Sequence, residues 1–141
     1  MGYLLDTNVV SEWVKPHPNP GGVTWTSGVD EDRVYLSVVT LTELRHSIER
    51  LSDGKRRRRL DQWLREELPL RFEGRVLAID AGVAERWGKV VARSEAAGRR
   101  IGTMDAFIAA TAEVHELTLV THNASDFKDL VPAVVNPWKG S

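Results

Sequence analysis

The chain has no cysteine among its 141 residues. That absence excludes a disulfide framework, a thiolate zinc site and a cysteine nucleophile, and it suits a reducing compartment. Long apolar runs are missing too. The longest, Ala106 to Ala110, is five residues, whereas a helix that spans a bilayer needs about 20, so no membrane partner is expected. The N-terminus meets Asp6 after only three apolar residues, Tyr3, Leu4 and Leu5, which does not fit a secretory signal, and a cytoplasmic protein is expected. Neither sign of charge is in excess: 19 Lys+Arg stand against 20 Asp+Glu, a net charge of -1. This argues against a protein that coats nucleic acid by bulk cationic character. Several catalytic signatures are also lacking. There is no Gly-x-Ser-x-Gly elbow, no Walker loop, no Gly-x-Gly-x-x-Gly, and no pair of histidines at ligand spacing.

What is present alternates. Tyr3-Leu4-Leu5, Val34-Tyr35-Leu36, Val76-Leu77-Ala78-Ile79 and Leu117-Thr118-Leu119-Val120 are short apolar runs that read as buried strands, with Val134-Val135 as a short last one. Between them helical patterns are expected at Ser11 to Lys15, Val23 to Val29, Leu41 to Leu51, Lys55 to Leu68, Ala81 to Ala97 and Met104 to His115. Asp80 and Thr103 are expected N-caps, Thr40 to Glu43 has capping-box spacing, and Gly98 is an expected helix stop. No repeat and no long linker interrupts the pattern. One α/β domain over residues 1–141 is expected, with helices on both faces of a mostly parallel sheet.

The charge is unevenly spread. Between Arg45 and Arg65 there are eight Lys/Arg and three Asp/Glu, a local net of +5, which leaves the rest of the chain at -6. Lys55, Arg56, Arg57, Arg58 and Arg59 form the centre of that stretch. Such a run is either a solvated helix face or a contact to nucleic-acid phosphates.

The acids converge in a different way. An open parallel sheet binds ligands beyond the carboxyl ends of its strands. Asp6 directly follows the first strand, Glu43 is expected in the first turn of the helix after the second, Asp105 in the first turn of the helix before the fourth, and Asn123 and Asp126 follow the fourth. Each has a structural alternative: Asp6 as a helix cap, Glu43 as partner of a Thr40 cap, and Asp105 as a charge matched to a helix dipole. Together they weigh more. Two carboxylates about 5 Å apart repel by about 3 kcal/mol at an effective dielectric of 20. A divalent cation is the simplest remedy, and hard oxygen donors suit Mg²⁺ or Mn²⁺. Such a site suggests metal-assisted hydrolysis of a phosphodiester. Of the four histidines, His122 alone sits where it could touch a substrate phosphate, and the five tryptophans read mainly as core.

Leu4-Leu5-Asp6-Thr7-Asn8, Thr40-Leu41-Thr42-Glu43-Leu44, Asp105 to Ala112, Val120-Thr121-His122-Asn123 with Asp126-Phe127, and Asn136-Pro137-Trp138 resemble the PIN-domain family, specifically the VapC-like toxins of bacterial toxin-antitoxin pairs. The resemblance covers essentially the whole chain. It implies a three-layer α/β/α PIN fold and a Mg²⁺-dependent ribonuclease, with Mn²⁺ able to substitute, neutralised by a small VapB-like antitoxin and usually a homodimer. It also implies Asp6 and Asp105 as metal ligands, Glu43 as a third acid acting directly or through water, and Thr7 and Asn8 as positioning residues. Two positions depart from the pattern: many relatives carry a fourth acid where this chain has Asn123, and an arginine where it has His122. Asp126 either compensates for the missing charge or caps the turn before Phe127. Lys55 to Arg59, or Arg99 and Arg100, are candidates to steer RNA. Other readings are a PIN-like module that binds RNA or a partner without efficient cleavage, and a phosphotransfer domain with Asp6 as acceptor.

Overall fold

Alternation along the strands sets the layers. In β1 (Tyr3–Leu5) the neighbours Leu4 and Leu5 are both fully buried, but in different cores. Successive side chains of a strand point to opposite faces of the sheet. Leu4 packs with Leu119, Val83, Val90 and Ile108, and Leu5 packs with Val120, Val9, Leu36, Leu44 and Phe72. One core therefore lies on each face. This computed structural model describes residues 2–139.

The strands are β1, β2 (Val34–Ser37), β3 (Val76–Leu77), β4 (Thr118–Val120) and β5 (Val134–Val135), in spatial order β3-β2-β1-β4-β5. Every pairing is parallel, with Tyr3 opposite Val34, Leu36 opposite Val76, Leu5 opposite Val120, and Val120 opposite Val135. From β1 the chain builds outward to β2 and β3, then returns to the other side of β1 for β4 and β5. That reversal puts a crevice between the carboxyl ends of β1 and β4, where ligands of such sheets bind.

The helices are α1 (Thr7–Glu12), α2 (Pro20–Ser27), α3 (Val38–Glu49), α4 (Lys55–Gln62), α5 (Leu68–Arg71), α6 (Ala81–Ala96), α7 (Thr103–Val114) and α8 (Ala124–Phe127). Asp80 caps α6 through the Val83 N–H at 3.0 Å, and Gly98 follows that helix with φ +73°, a conformation favourable to glycine. Other expected starts are corrected. Ser37, not Thr40, caps α3, accepting from the Val39 N–H at 3.0 Å, so Glu43 lies in the second turn and no Thr40 capping box forms. Gly102, not Thr103, is the cap residue of α7. α1 starts four residues before the expected Ser11, directly behind Asp6. The third expected strand stops at Leu77, two residues early.

The helix expected over Lys55 to Leu68 is interrupted by a π-turn at Trp63–Glu67, in which the Leu68 N–H donates to the Trp63 carbonyl five residues back. Pro69 accounts for it, because its ring collides with the carbonyl four residues earlier and opens the spiral. Leu60, Leu64, Leu68 and Phe72 nevertheless all stay buried on one side.

Candidate active site

Asp6 and Thr121 are the residues that follow the paired ends of β1 and β4. The ladder continues through them, since the Asp6 N–H donates to the Val120 carbonyl at 2.9 Å. Asp6 is only 5% exposed. Its carboxylate accepts from the Thr121 hydroxyl and from the Thr7 N–H, both at 2.8 Å, with the Asn8 amide at a longer 3.4 Å. Burial outweighs these donors and pushes the Asp6 carboxyl above the usual carboxylate range; the bonds from Thr121 and Thr7 oppose the rise, and the nearby Glu43 charge adds to it. Asp6 does cap α1. The cap role alone leaves its burial beside other acids unexplained.

Thr7 holds Glu43. Its hydroxyl donates to a Glu43 carboxylate oxygen and lies 3.2 Å from the buried Thr40 hydroxyl. A hydroxyl has one proton, so the chain of donation runs from Thr40 to Thr7 to Glu43. Asn8 joins the two strand ends: its carbonyl oxygen accepts from the His122 N–H at 3.1 Å, and its amide reaches the Thr121 hydroxyl at 3.3 Å. Thr7 and Asn8 thus tie Glu43 and the ends of β1 and β4 to the segment that carries Asp6.

Asp105 stands in the first turn of α7. Burial raises its carboxyl above the usual range, and the charges of Asp6 and Asp126 push it further. Asp126, on α8, is exposed, and its side chain makes no hydrogen bond among the described residues. Asp105 and Asp126 line a cleft of about 340 Å³ with Arg99, Arg100 and Gly102. Asn123 is exposed at the start of α8 without a side-chain capping bond, and its N–H donates to the Thr121 hydroxyl at 3.1 Å.

The basic candidates divide. Arg100 lines the acid cleft, and Arg99 clamps the segment around α8 through the carbonyls of Lys128 and Ser125 at 3.0 and 3.1 Å. Lys55 to Arg59 lie on α4, which packs on α3 away from that cleft. Arg57 pairs with Glu49 at 3.0 Å and Arg58 with Asp53 at 4.0 Å. Lys55, Arg56 and Arg59 are exposed. Thr121 and Thr40 are the site residues that sequence reasoning passed over. The signal for Thr121 is its register with Asp6, which becomes readable only once β1 and β4 are paired.

No ion pair among the described residues involves Asp6, Glu43, Asp105 or Asp126, although ten such pairs occur elsewhere. Nor do three His, Cys, Asp or Glu side chains form a ready metal cage among them. The donor chemistry fits a hard divalent ion through fewer protein ligands, since Mg²⁺ keeps several waters and takes one or two carboxylates. Asp6, buried and without an ion-pair partner among the described residues, is the group that fits such an ion best.

Comparison with known proteins agrees with this architecture. The chain is 38% identical over 135 residues to Toxin FitB of Neisseria gonorrhoeae, covering 96% of this chain and 97% of that one. It is 33% identical to VapC ribonuclease Y4jK of Sinorhizobium fredii, with 96% and 97% covered. The crystal structure of FitAcB from Neisseria gonorrhoeae superposes with a TM-score of 0.91 at 38% identity, covering 96% of this chain and 98% of that one. Residues 3–131 match the PIN domain, and the chain belongs to the PIN-domain family.

Proposed function

We propose that this chain is a Mg²⁺-dependent endoribonuclease, the toxin of a type II toxin-antitoxin pair, with Mn²⁺ able to replace Mg²⁺. The observation that carries the reading is the buried Asp6 carboxylate, set near Glu43 and Asp105 with no ion pair to offset it among the described residues. The names of its relatives, a toxin and a ribonuclease, point the same way. Asp6 and Asp105 would hold the ion, with Glu43 reaching it directly or through water. A divalent ion bound there polarises phosphoryl oxygens and lowers the pKa of a water. The rest belongs to the chain. Thr121 and the Thr7 N–H fix the Asp6 oxygens, Thr7 aims Glu43, and Asn8 locks the end of β1 to the end of β4. Arg100 is available to draw an RNA phosphate toward the cleft.

The same unmatched acids suit inhibition by a small VapB-like antitoxin that lays a basic side chain among them. A homodimer completes the proposal. A second reading, binding without efficient cleavage, has the neutral amide of Asn123 on its side.

Labelled single-stranded RNA incubated with the protein and Mg²⁺ separates the two. Cleavage should vanish with EDTA and fall about a thousandfold in Asp6→Asn and in Asp105→Asn. Cleavage that persists in EDTA or in both variants excludes metal-assisted hydrolysis. Tight binding with no product in Mg²⁺ establishes the second reading.

A further inference from the structure

A second cleft, about 280 Å³, opens beside the acids and is lined by Asn8, Ser11, Glu12, Lys15, His122 and Trp138. Asn8 belongs to both places, since its amide also faces Asp6. Two rings form one wall: His122 and Trp138 lie 4.4 Å apart between centroids and are tilted by 54°. Both are fixed through their backbones. The His122 N–H donates to Asn8, the His122 carbonyl accepts from Asn136 at 3.1 Å, and the Trp138 N–H donates back to Asn136 at 2.9 Å. Trp138 is backed by the core that contains Leu5 and Val9. Helix α2 approaches the same segment so closely that a Cβ at Gly21 would lie 2.9 Å from the Pro137 carbonyl.

The opposite wall is polar. Glu12 is 5% exposed, accepts from the Asn19 N–H at 2.7 Å and pairs with Lys15 at 2.9 Å, while the Lys15 side chain remains 55% exposed. The cleft thus offers π-faces, a hydroxyl and a matched ion pair. That combination suits an uncharged planar ring with donors and acceptors on its edge better than a second phosphate or an acidic side chain. Bases of single strands are recognised in this way, by stacking on aromatic rings and by hydrogen bonds to their edges.

We propose that this cleft is a nucleobase subsite, holding the base next to the scissile phosphate against His122 and Trp138 while Ser11 and the Glu12–Lys15 pair contact its edge. The assignment rests on the ribonuclease reading of the adjacent acids. Trp138 and Lys15 are then specificity determinants, and the cleft sets which nucleotide flanks the cut.

The test uses a short single-stranded RNA that the protein cleaves, and the same RNA made abasic at each nucleotide flanking the cut. Trp138→Ala should raise KM about tenfold or more, with most of the loss in KM, and Trp138→Phe should recover much of it. One abasic RNA should suffer the same loss with the wild-type chain and little further loss with Trp138→Ala. Affinities measured on Asp105→Asn, which keeps the cleft and binds without cutting, should follow the same order. If Trp138→Ala fails to fold, Lys15→Ala and the abasic comparison on the wild-type chain decide. Cleavage indifferent to both flanking bases overturns the subsite and leaves the ribonuclease standing. No binding and no cleavage of any RNA overturns both. Variants that keep full base preference but escape a protein inhibitor would assign the cleft to a peptide instead.

Discussion

Two sets of carboxylates in this molecule have opposite fates. On the outer helices, Asp61 accepts from Arg45 and Arg65, and these bonds hold its carboxyl below the usual range. Glu113, on α7, is partly buried; that burial works against its charge, but hydrogen bonds from Arg93 and Arg86 at 2.7 Å overcome it and hold the carboxyl low. At the end of β1 and the start of α7, Asp6 and Asp105 are held high by burial, with the Glu43 charge adding to the rise at Asp6 and the charges of Asp6 and Asp126 adding to it at Asp105, and no arginine among the described residues pairs with either. The difference is that one network is complete within the chain and the other is left open, which is where perturbed carboxyls signal binding or catalysis rather than stability.

The contrast can be broken first by adding a metal. An ion that binds only the folded chain stabilises it by about 2.7 kcal/mol at a hundred times its dissociation constant. Thermal unfolding with and without Mg²⁺ should therefore show a clear upward shift for the wild-type chain, and little or none for Asp6→Asn. An equal shift in Glu113→Gln and in the wild-type chain would show that the outer network plays no part in the effect.

Without metal, the two sets should answer substitution with opposite signs. Glu113→Gln removes a satisfied pair and should cost about 1 kcal/mol. Asp105→Asn removes a repelled charge that makes no side-chain hydrogen bond among the described residues, so it should stabilise the metal-free chain. The pH dependence follows. A carboxyl raised by folding imposes a penalty above its folded pKa, which is relieved as pH falls through that value. A carboxyl lowered by folding contributes stability above its unfolded pKa, and this is lost as pH falls through its folded pKa. Mild acidification from neutrality should thus stabilise the metal-free wild-type chain before stronger acid destabilises it. Asp105→Asn should blunt the first phase and leave the second intact, as read by urea unfolding across pH.

The smallest effect concerns the basic run. Arg57 and Arg58 are engaged with acids, whereas Lys55, Arg56 and Arg59 have charges to spare. Replacing those three with alanine should weaken RNA binding modestly and lower the slope of log affinity against log salt by at most about two. An Arg100→Ala variant, altered at the acid cleft itself, should lose more affinity than any single member of the run.

Much of the fold was legible along the chain because its strands are short, apolar and separated by helical spacing, and all five lie where such runs occur. The errors share a cause. Thr40 has the local chemistry of a cap, but Ser37 sits where β2 ends and takes that role, because the strand's register and not the capping motif fixes where α3 begins. The helix after Lys55 has unbroken apolar spacing, and only the crowding around Pro69 opens it. Within the site, Glu43 lies in the second turn of α3, whereas Asp6 and Asp105 stand out by their positions at element ends. Thr121 does not, since a threonine after a strand is unremarkable until pairing brings it 2.8 Å from a carboxylate 115 residues away.

The amino-acid order thus determined the α/β alternation, the absence of thiol chemistry and the placing of acids at strand and helix ends. Tertiary structure alone decided which acids would be matched. Glu113 meets arginines from the neighbouring helix, while parallel pairing of β1 with β4 buries Asp6 beside a hydroxyl instead of a cation. Whether a charge is satisfied depends on what long-range packing sets within a few ångströms of it, and no local pattern carries that information.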